Sequence, residues 1–333
     1  MNGRNLGKVS IVVAFSFIAA ACSDDQASLL SVDQEGPQGI QGAKAVVGDP
    51  IQKMMERINV RLARNGKDYR VAVVEFYAPG GSEEQGRTVF LSDVGNKQLG
   101  HHFIAGDDRR TTTTDITFIV DLADGGTASG LSSVDTDAAI NRAMETWQDV
   151  NCSEIQVADL GSFNFDLGVI QNQLGFGGSG FVFADITHAG FLPASFFDAV
   201  FGPGGSDVVL GVTFTFVFID VDELPDIVFT DLDNNRKLDT AFREIYYNDA
   251  FFWVIDQNVP GFPDFDVETV ALHEAGHGFS QAHFGKAFVT NANGKLHFSP
   301  RAVMNAAYSG IQQDIGKTDN AGHCSIWSKW PNS

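Results

Sequence analysis

Val270-Ala-Leu-His273-Glu274-Ala-Gly-His277-Gly-Phe-Ser280-Gln-Ala-His283 is the stretch from which the rest of the chain is understood. Its apolar start and spacing predict a helix from Val267 to about Phe279. His273 and His277 are four residues apart, so they lie one turn apart on one helical face and their imidazoles can share an ion. Neutral imidazole nitrogen suits zinc, at about 2.0–2.1 Å. Glu274 points about 100° around the helix from His273, close enough to reach a water on such an ion without joining its ligands. A zinc ion with an open position lowers the pKa of its water to about 7, which makes Glu274 the candidate proton acceptor. His283 comes six residues after His277. On a continuous helix it would lie about 9 Å further along the axis, too far for the same ion. The helix must therefore end near Phe279 or Ser280, and the chain must turn back to present the third imidazole.

Outward from this segment, the periodicity predicts strands at Ile116–Leu122, Val208–Ile219 and Ala241–Tyr247. A helix capped by Asp135 or Asp137 should run to about Val150, with Ala139, Ile140, Ala143, Met144 and Trp147 on one face. Asn293-Gly294 signals a hairpin between residues 287–290 and 295–298, and Ala321–Trp330 should close the chain as a helix or turn. Further upstream, Ile51–Arg64 has a helical apolar pattern, and Tyr69–Tyr77 and Arg87–Leu91 look like strands.

The pattern His273-Glu274-Ala-Gly-His277-Gly-Phe-Ser280-Gln-Ala-His283 resembles that of the metzincin zinc peptidases, and within them the matrixin-like members. The resemblance puts His273, His277 and His283 on the zinc-ligand positions and Glu274 on the general-base position. Ser280 stands where the family has Gly, at a turn that favours left-handed backbone. Ala302-Val303-Met304-Asn-Ala-Ala-Tyr308 resembles the family's Met-turn, with Met304 as the apolar floor of the site and Tyr308 at the spacing of a catalytic-site tyrosine. The likeness spans roughly Asp115 to the end, including a first long helix around residues 139–147 and a last one around residues 319–327. It implies an α+β fold with a twisted mixed sheet, two main helices and a Met-turn. It also implies endopeptidase activity on extended polypeptide. His188 lies in Ala184-Asp-Ile-Thr-His-Ala-Gly-Phe-Leu-Pro193, which resembles the family's edge strand, where substrate pairs by strand addition.

The N-terminus reads as targeting. Arg4 and Lys8 precede an apolar run, and Ala19-Ala20-Ala21 stands before Cys22, similar to a bacterial lipobox. The expected organisation is a lipoprotein signal peptide over 1–21, a tether over 22–50, a small α/β region over 51–112 and the peptidase-like domain over 113–333. Lipidation at Cys22 would anchor the exported chain to a membrane, at the outer membrane or cell surface; an ordinary signal would leave it secreted. Cys152 and Cys324 then remain, and an oxidising compartment favours their pairing. A net charge of −20 excludes the basic surface that nucleic-acid binding needs.

A second candidate metal site has calcium-loop spacing and resembles an EF-hand loop. Asp231, Asp233, Asn235 and Asp239 supply side-chain oxygens and Lys237 a backbone carbonyl. Arg236 replaces the loop's Gly and Phe242 its final Glu, for which Glu244 could substitute in a longer loop. His101, His102, His297 and His323 are expected at the surface or in hydrogen bonds. Two other classes of function compete with the peptidase: a non-catalytic surface-binding lipoprotein that keeps zinc as a structural element, and a calcium-stabilised adhesin.

Overall fold

The computed structural model describes residues 49–80, 85–91, 100–110, 114–255, 264–290 and 296–331. Cys22, the signal segment, the tether up to residue 48 and the Asn293-Gly294 turn lie outside them. Among the described residues the architecture is α+β, with a mixed sheet of eight strands and six helices.

In chain order the elements begin with α1 (Pro50–Arg64), β1 (Tyr69–Tyr77), β2 (Thr88–Phe90), β3 (His101–His102) and β4 (Ile116–Asp121). Then follow α2 (Ser133–Gln148), β5 (Val157–Phe163), α3 (Val169–Leu174), β6 (Ile186–Leu192), α4 (Ala194–Phe201), β7 (Gly211–Phe218) and β8 (Leu238–Asn248). The last are β9 (Phe252–Val254), β10 (Asp264–Asp266), α5 (Val267–Gly278), β11 (Lys286–Val289), β12 (Leu296–Ser299) and α6 (Lys317–Trp327).

The main sheet runs β2-β1-β7-β8-β6-β4-β5, with β3 beside β8. The pairs β4–β5, β4–β6 and β6–β8 are parallel, whereas β7 is antiparallel to both β1 and β8. Strands β1, β4, β6 and β7 are buried along their whole length. Strands covered on both faces read as continuous apolar runs instead of alternating ones. One layer contains α2, α5 and α6 with Trp147, Trp253, Phe279 and Trp327. The other packs α1, α3 and α4 through Met54, Met55, Ile58, Phe196, Phe197, Phe214 and Tyr246.

Three expectations change. The 51–112 stretch, set apart in the sequence, does not form a separate body: β1 pairs with β7 from Tyr69↔Phe218 to Tyr77↔Gly211, and β2 pairs with β1. Its cause is the burial of all nine β1 residues, which a two-stranded unit could not supply. The strand containing His188, expected at an edge, is β6, held between β4 and β8 in the sheet's interior. Helix α2 is capped by Ser132, ahead of either Asp: the Ser132 hydroxyl accepts the Asp135 N–H at 3.3 Å, and the Asp135 carboxylate accepts the Ser132 N–H at 3.2 Å. This reciprocal pairing satisfies two N–H groups at once.

The predicted hairpin strands are present as β11 and β12, antiparallel with Val289↔Leu296. The sulfurs of Cys152 and Cys324 are bonded, with their Cα atoms 5.7 Å apart, inside the range such a bridge needs. Among the described residues no helix is long and apolar enough to cross a membrane.

Candidate metal centre

Helix α5 is positioned from both ends. Asp266 caps its start, accepting the Thr269 N–H at 2.8 Å. The Trp147 indole donates to Leu272 O and the Trp327 indole to Phe279 O, both at 2.8 Å. Its C-terminus meets Arg243, a fully buried guanidinium from β8 that donates to the carbonyls of His277 and Gly278. A cation there complements the negative helix end.

Ser280 then turns the chain back at φ +64, the left-handed region. A non-glycine residue there costs about 1–2 kcal/mol. The compensation is visible in its hydroxyl, which accepts from Arg243 Nη2 at 2.8 Å and lies 3.3 Å from His102 Nδ1. Arg243 Nη2 also reaches His101 Nδ1 at 2.8 Å. His101 and His102 are therefore buried, hydrogen-bonded parts of this turn. His323 departs from expectation: it is fully buried between Trp147 and Trp327, and among the described residues neither ring nitrogen has a hydrogen-bond partner. Burial pulls its pKa down to about 4, so the ring is neutral.

The reversal at Ser280 brings three imidazoles together. His283 Nε2 is 3.1 Å from both His273 Nε2 and His277 Nε2. Ligands on a tetrahedral zinc at about 2.05 Å would stand roughly 3.3 Å apart, so the donor set fits that ion. The outer ring nitrogens are committed: His273 Nδ1–H donates to Val303 O at 2.7 Å and His277 Nδ1–H to Gln281 O at 2.8 Å. A carbonyl only accepts, so these bonds fix the tautomer that leaves the Nε2 lone pairs pointing at one another. Burial, and then the neighbouring imidazoles, push His273 and His283 well below the usual histidine range. The three rings are thus neutral donors, the protonation state that zinc requires.

The floor is built by a residue that sequence reasoning missed. Asp319, at the start of α6, accepts the Val303 N–H at 3.0 Å and the Met304 N–H at 3.2 Å. It thereby fixes the carbonyl of Val303, which orients His273. Met304 is fully buried against α5 at Gly276, where a Cβ would come within 2.3 Å of its sulfur. The signal available in the sequence was a carboxylate at the start of a predicted helix, but such residues are common there. Asn305 ties the same loop to the His283 segment, donating to Phe284 O at 3.0 Å.

Glu274 is fully buried. Its Oε2 accepts from Thr213 Oγ1 of β7 at 2.6 Å, while Oε1 has no hydrogen-bond partner among the described residues. Burial raises its pKa well above the usual carboxylate value, Thr213 partly offsets this, and the nearby Glu75 adds to it. Glu75 is a second buried carboxylate, 3.4 Å from His277 Nδ1 and pushed up to about 7 by burial. The Tyr308 hydroxyl accepts the Asp266 N–H at 3.2 Å, at the start of α5, so its ring props the helix.

The acidic loop behaves differently. Carboxylate oxygens of Asp231, Asp233 and Asp239 lie within 4.8 Å of one another. Asn235 donates its amide to Asp233, Lys237 N–H bonds to Asn235 Oδ1, and Asp239 is paired with Arg109 at 2.9 Å. Arg236, at the position where a calcium loop has Gly, adopts φ +68. Phe242 is buried in β8, and Glu244 accepts the N–H groups of Val169 and Ile170 elsewhere in the core, so neither completes the loop. His188 contacts Tyr247 at 2.8 Å in the sheet interior and belongs to no metal-capable group among the described residues.

Comparison of the chain with protein-family models and with curated proteins gives no match.

Proposed function

We propose that the protein is a zinc-dependent endopeptidase of the metzincin, matrixin-like type. The observation that supports this best is the meeting of three neutral imidazoles, two of them with Nδ1 tied to backbone carbonyls, with the Glu274 carboxylate on the residue next to His273. His273, His277 and His283 would hold the ion, which when bound polarises a peptide carbonyl and acidifies water. Glu274 takes the proton of the attacking water and passes it to the departing amine. Met304 and Asp319 keep His273 in register, and Arg243 with Ser280 holds the turn that delivers His283. Tyr308 serves as a positioning residue at the start of α5. Calcium at Asp231, Asp233 and Asp239, export, and a lipid anchor at Cys22 complete the proposal.

The test is hydrolysis of an unfolded protein with and without a zinc chelator, with sequencing of the new termini. Glu274→Ala should retain zinc and lose cleavage. A wild-type chain that holds zinc and cleaves nothing would favour the second reading, a surface-binding lipoprotein with a structural zinc. That reading has one observation in its favour: the Glu274 carboxylate is wholly enclosed beneath β7.

A further inference from the structure

We propose that β1 is an internal occupant of the peptide groove, so that the folded chain is latent until β1 is displaced; this rests on the peptidase reading. Three observations carry it.

The first is the place of β7. Thr213 of β7 binds Glu274, and Gly211 is so close to the Glu274 side chain that a Cβ would lie 2.8 Å from Oε1. β7 is thus the strand adjoining the base, and a polypeptide reaching the base by pairing with β7 must take the position β1 holds. Glu75↔Thr213 and Tyr77↔Gly211 are the register pairs at that point.

The second is the path beyond β1. Leu210 N–H donates to Tyr77 O at 2.8 Å on one side. On the other, Ala78 bridges in parallel to Ala307, and Tyr308 N–H donates to Ala78 O at 2.9 Å. Gly86 N–H then bonds to Ala306 O at 2.7 Å. An extended segment is therefore bonded through its main chain to two walls, β7 and the segment after Met304. Strand addition of this kind is indifferent to side-chain identity, so another extended chain could make the same bonds.

The third is Tyr77. Its ring stacks on His273 with centroids 3.8 Å apart and planes 15° apart. With it in place His273, Glu274 and His277 have no exposed surface, and His283 alone among the four is partly exposed. The occupant is firmly anchored, because α1 buries Ile51, Met54, Met55, Ile58 and Leu62 in the layer on the far side of the sheet. β1 does not leave by itself; a break in the chain or a competing strand must free it.

The experiment places a site for a specific protease after Leu91 in the full-length chain. Hydrolysis of an unfolded protein, zinc content and binding of a labelled peptide spanning residues 69–80 are compared before and after cutting, following brief exposure to moderate urea. The expected result is zinc in both forms and hydrolysis about tenfold or more higher after cutting. The added 69–80 peptide should bring the activity back down. Equal hydrolysis before and after cutting, with zinc retained, overturns the proposal. If neither form hydrolyses, peptide binding decides. Binding to the cut chain alone upholds the groove and its occupant while the peptidase reading falls. No binding to the cut chain overturns both.

Discussion

Among the described residues three clusters have the spacing of metal ligands, one of them at Asp121, Asp124 and Asp166; the histidine cluster and the loop at Asp231, Asp233 and Asp239 differ in what their lone pairs already do. At His273 and His277 backbone carbonyls take the outer nitrogens, and the inner ones converge with that of His283, 3.1 Å from each. At Asp231, Asp233 and Asp239 the chain uses the oxygens itself: Arg236 N–H bonds to Asp231, Asn235 to Asp233, and Arg109 and Leu232 N–H to Asp239. His273 and His277 are also fully buried, whereas Asp233 is exposed. Spacing proposes a site; it becomes one when the fold leaves the donors aimed and uncommitted.

The sharpest way to break this contrast is to remove one ligand from each cluster. His277→Ala should abolish stoichiometric zinc, measured by elemental mass spectrometry, and reduce hydrolysis to background. Asp233→Ala should leave both unchanged. Equal losses in the two variants would mean that enclosure is irrelevant. A buried carboxylate both of whose oxygens accept hydrogen bonds from the chain gives the next test. Burial pushes Glu244 from 4.5 up to about 7, with the Ile170 and Val169 N–H groups and the Tyr246 hydroxyl partly offsetting it. Its folded-state pKa is raised, so its contribution is fully present below about 4.5 and lost as pH rises through about 7. That contribution is about 3 kcal/mol at the outside. Thermal midpoints recorded across this range should decline, and Glu244→Gln should flatten the slope; an unchanged slope assigns it to other groups. Smaller still is Asp319→Ala, which frees Val303 and Met304 and should weaken zinc affinity about 10–100-fold without removing the site. Competition with a calibrated chelator measures it, and unaltered affinity would show that the Val303 carbonyl holds itself. The least effect is expected from calcium: a rise in thermal midpoint of a few degrees at most, equivalent to about 1 kcal/mol, cancelled in Asp233→Asn. A large rise would place the acidic loop beside the histidine centre in importance.

Local chemistry was the legible part. The four-residue histidine interval fixed the helix face, and the six-residue interval to His283 required a reversal, which Ser280 makes at φ +64. The apolar pattern of α1 and the Asn-Gly signal between β11 and β12 were equally local. What stayed hidden depends on partners far away in sequence. Arg243 stabilises the Ser280 turn from another strand, and nothing around it in the chain announces this. Asp319 lies 16 residues beyond Val303 and acts through a backbone amide. The position of β6 inside the sheet, and of β1 beside β7, follows from non-local pairing, which no window of residues contains.

The Cys152–Cys324 bridge joins the segment just after α2 to α6, whose first turn contains Asp319. It closes a span of 172 residues. Severing a link over so long a span costs about 3–5 kcal/mol. A reducing medium would therefore reach the metal centre without touching a ligand, by freeing the helix whose first turn steadies His273. If the three imidazoles hold zinc as proposed, the chain grips it more tightly with this bridge intact than with it reduced.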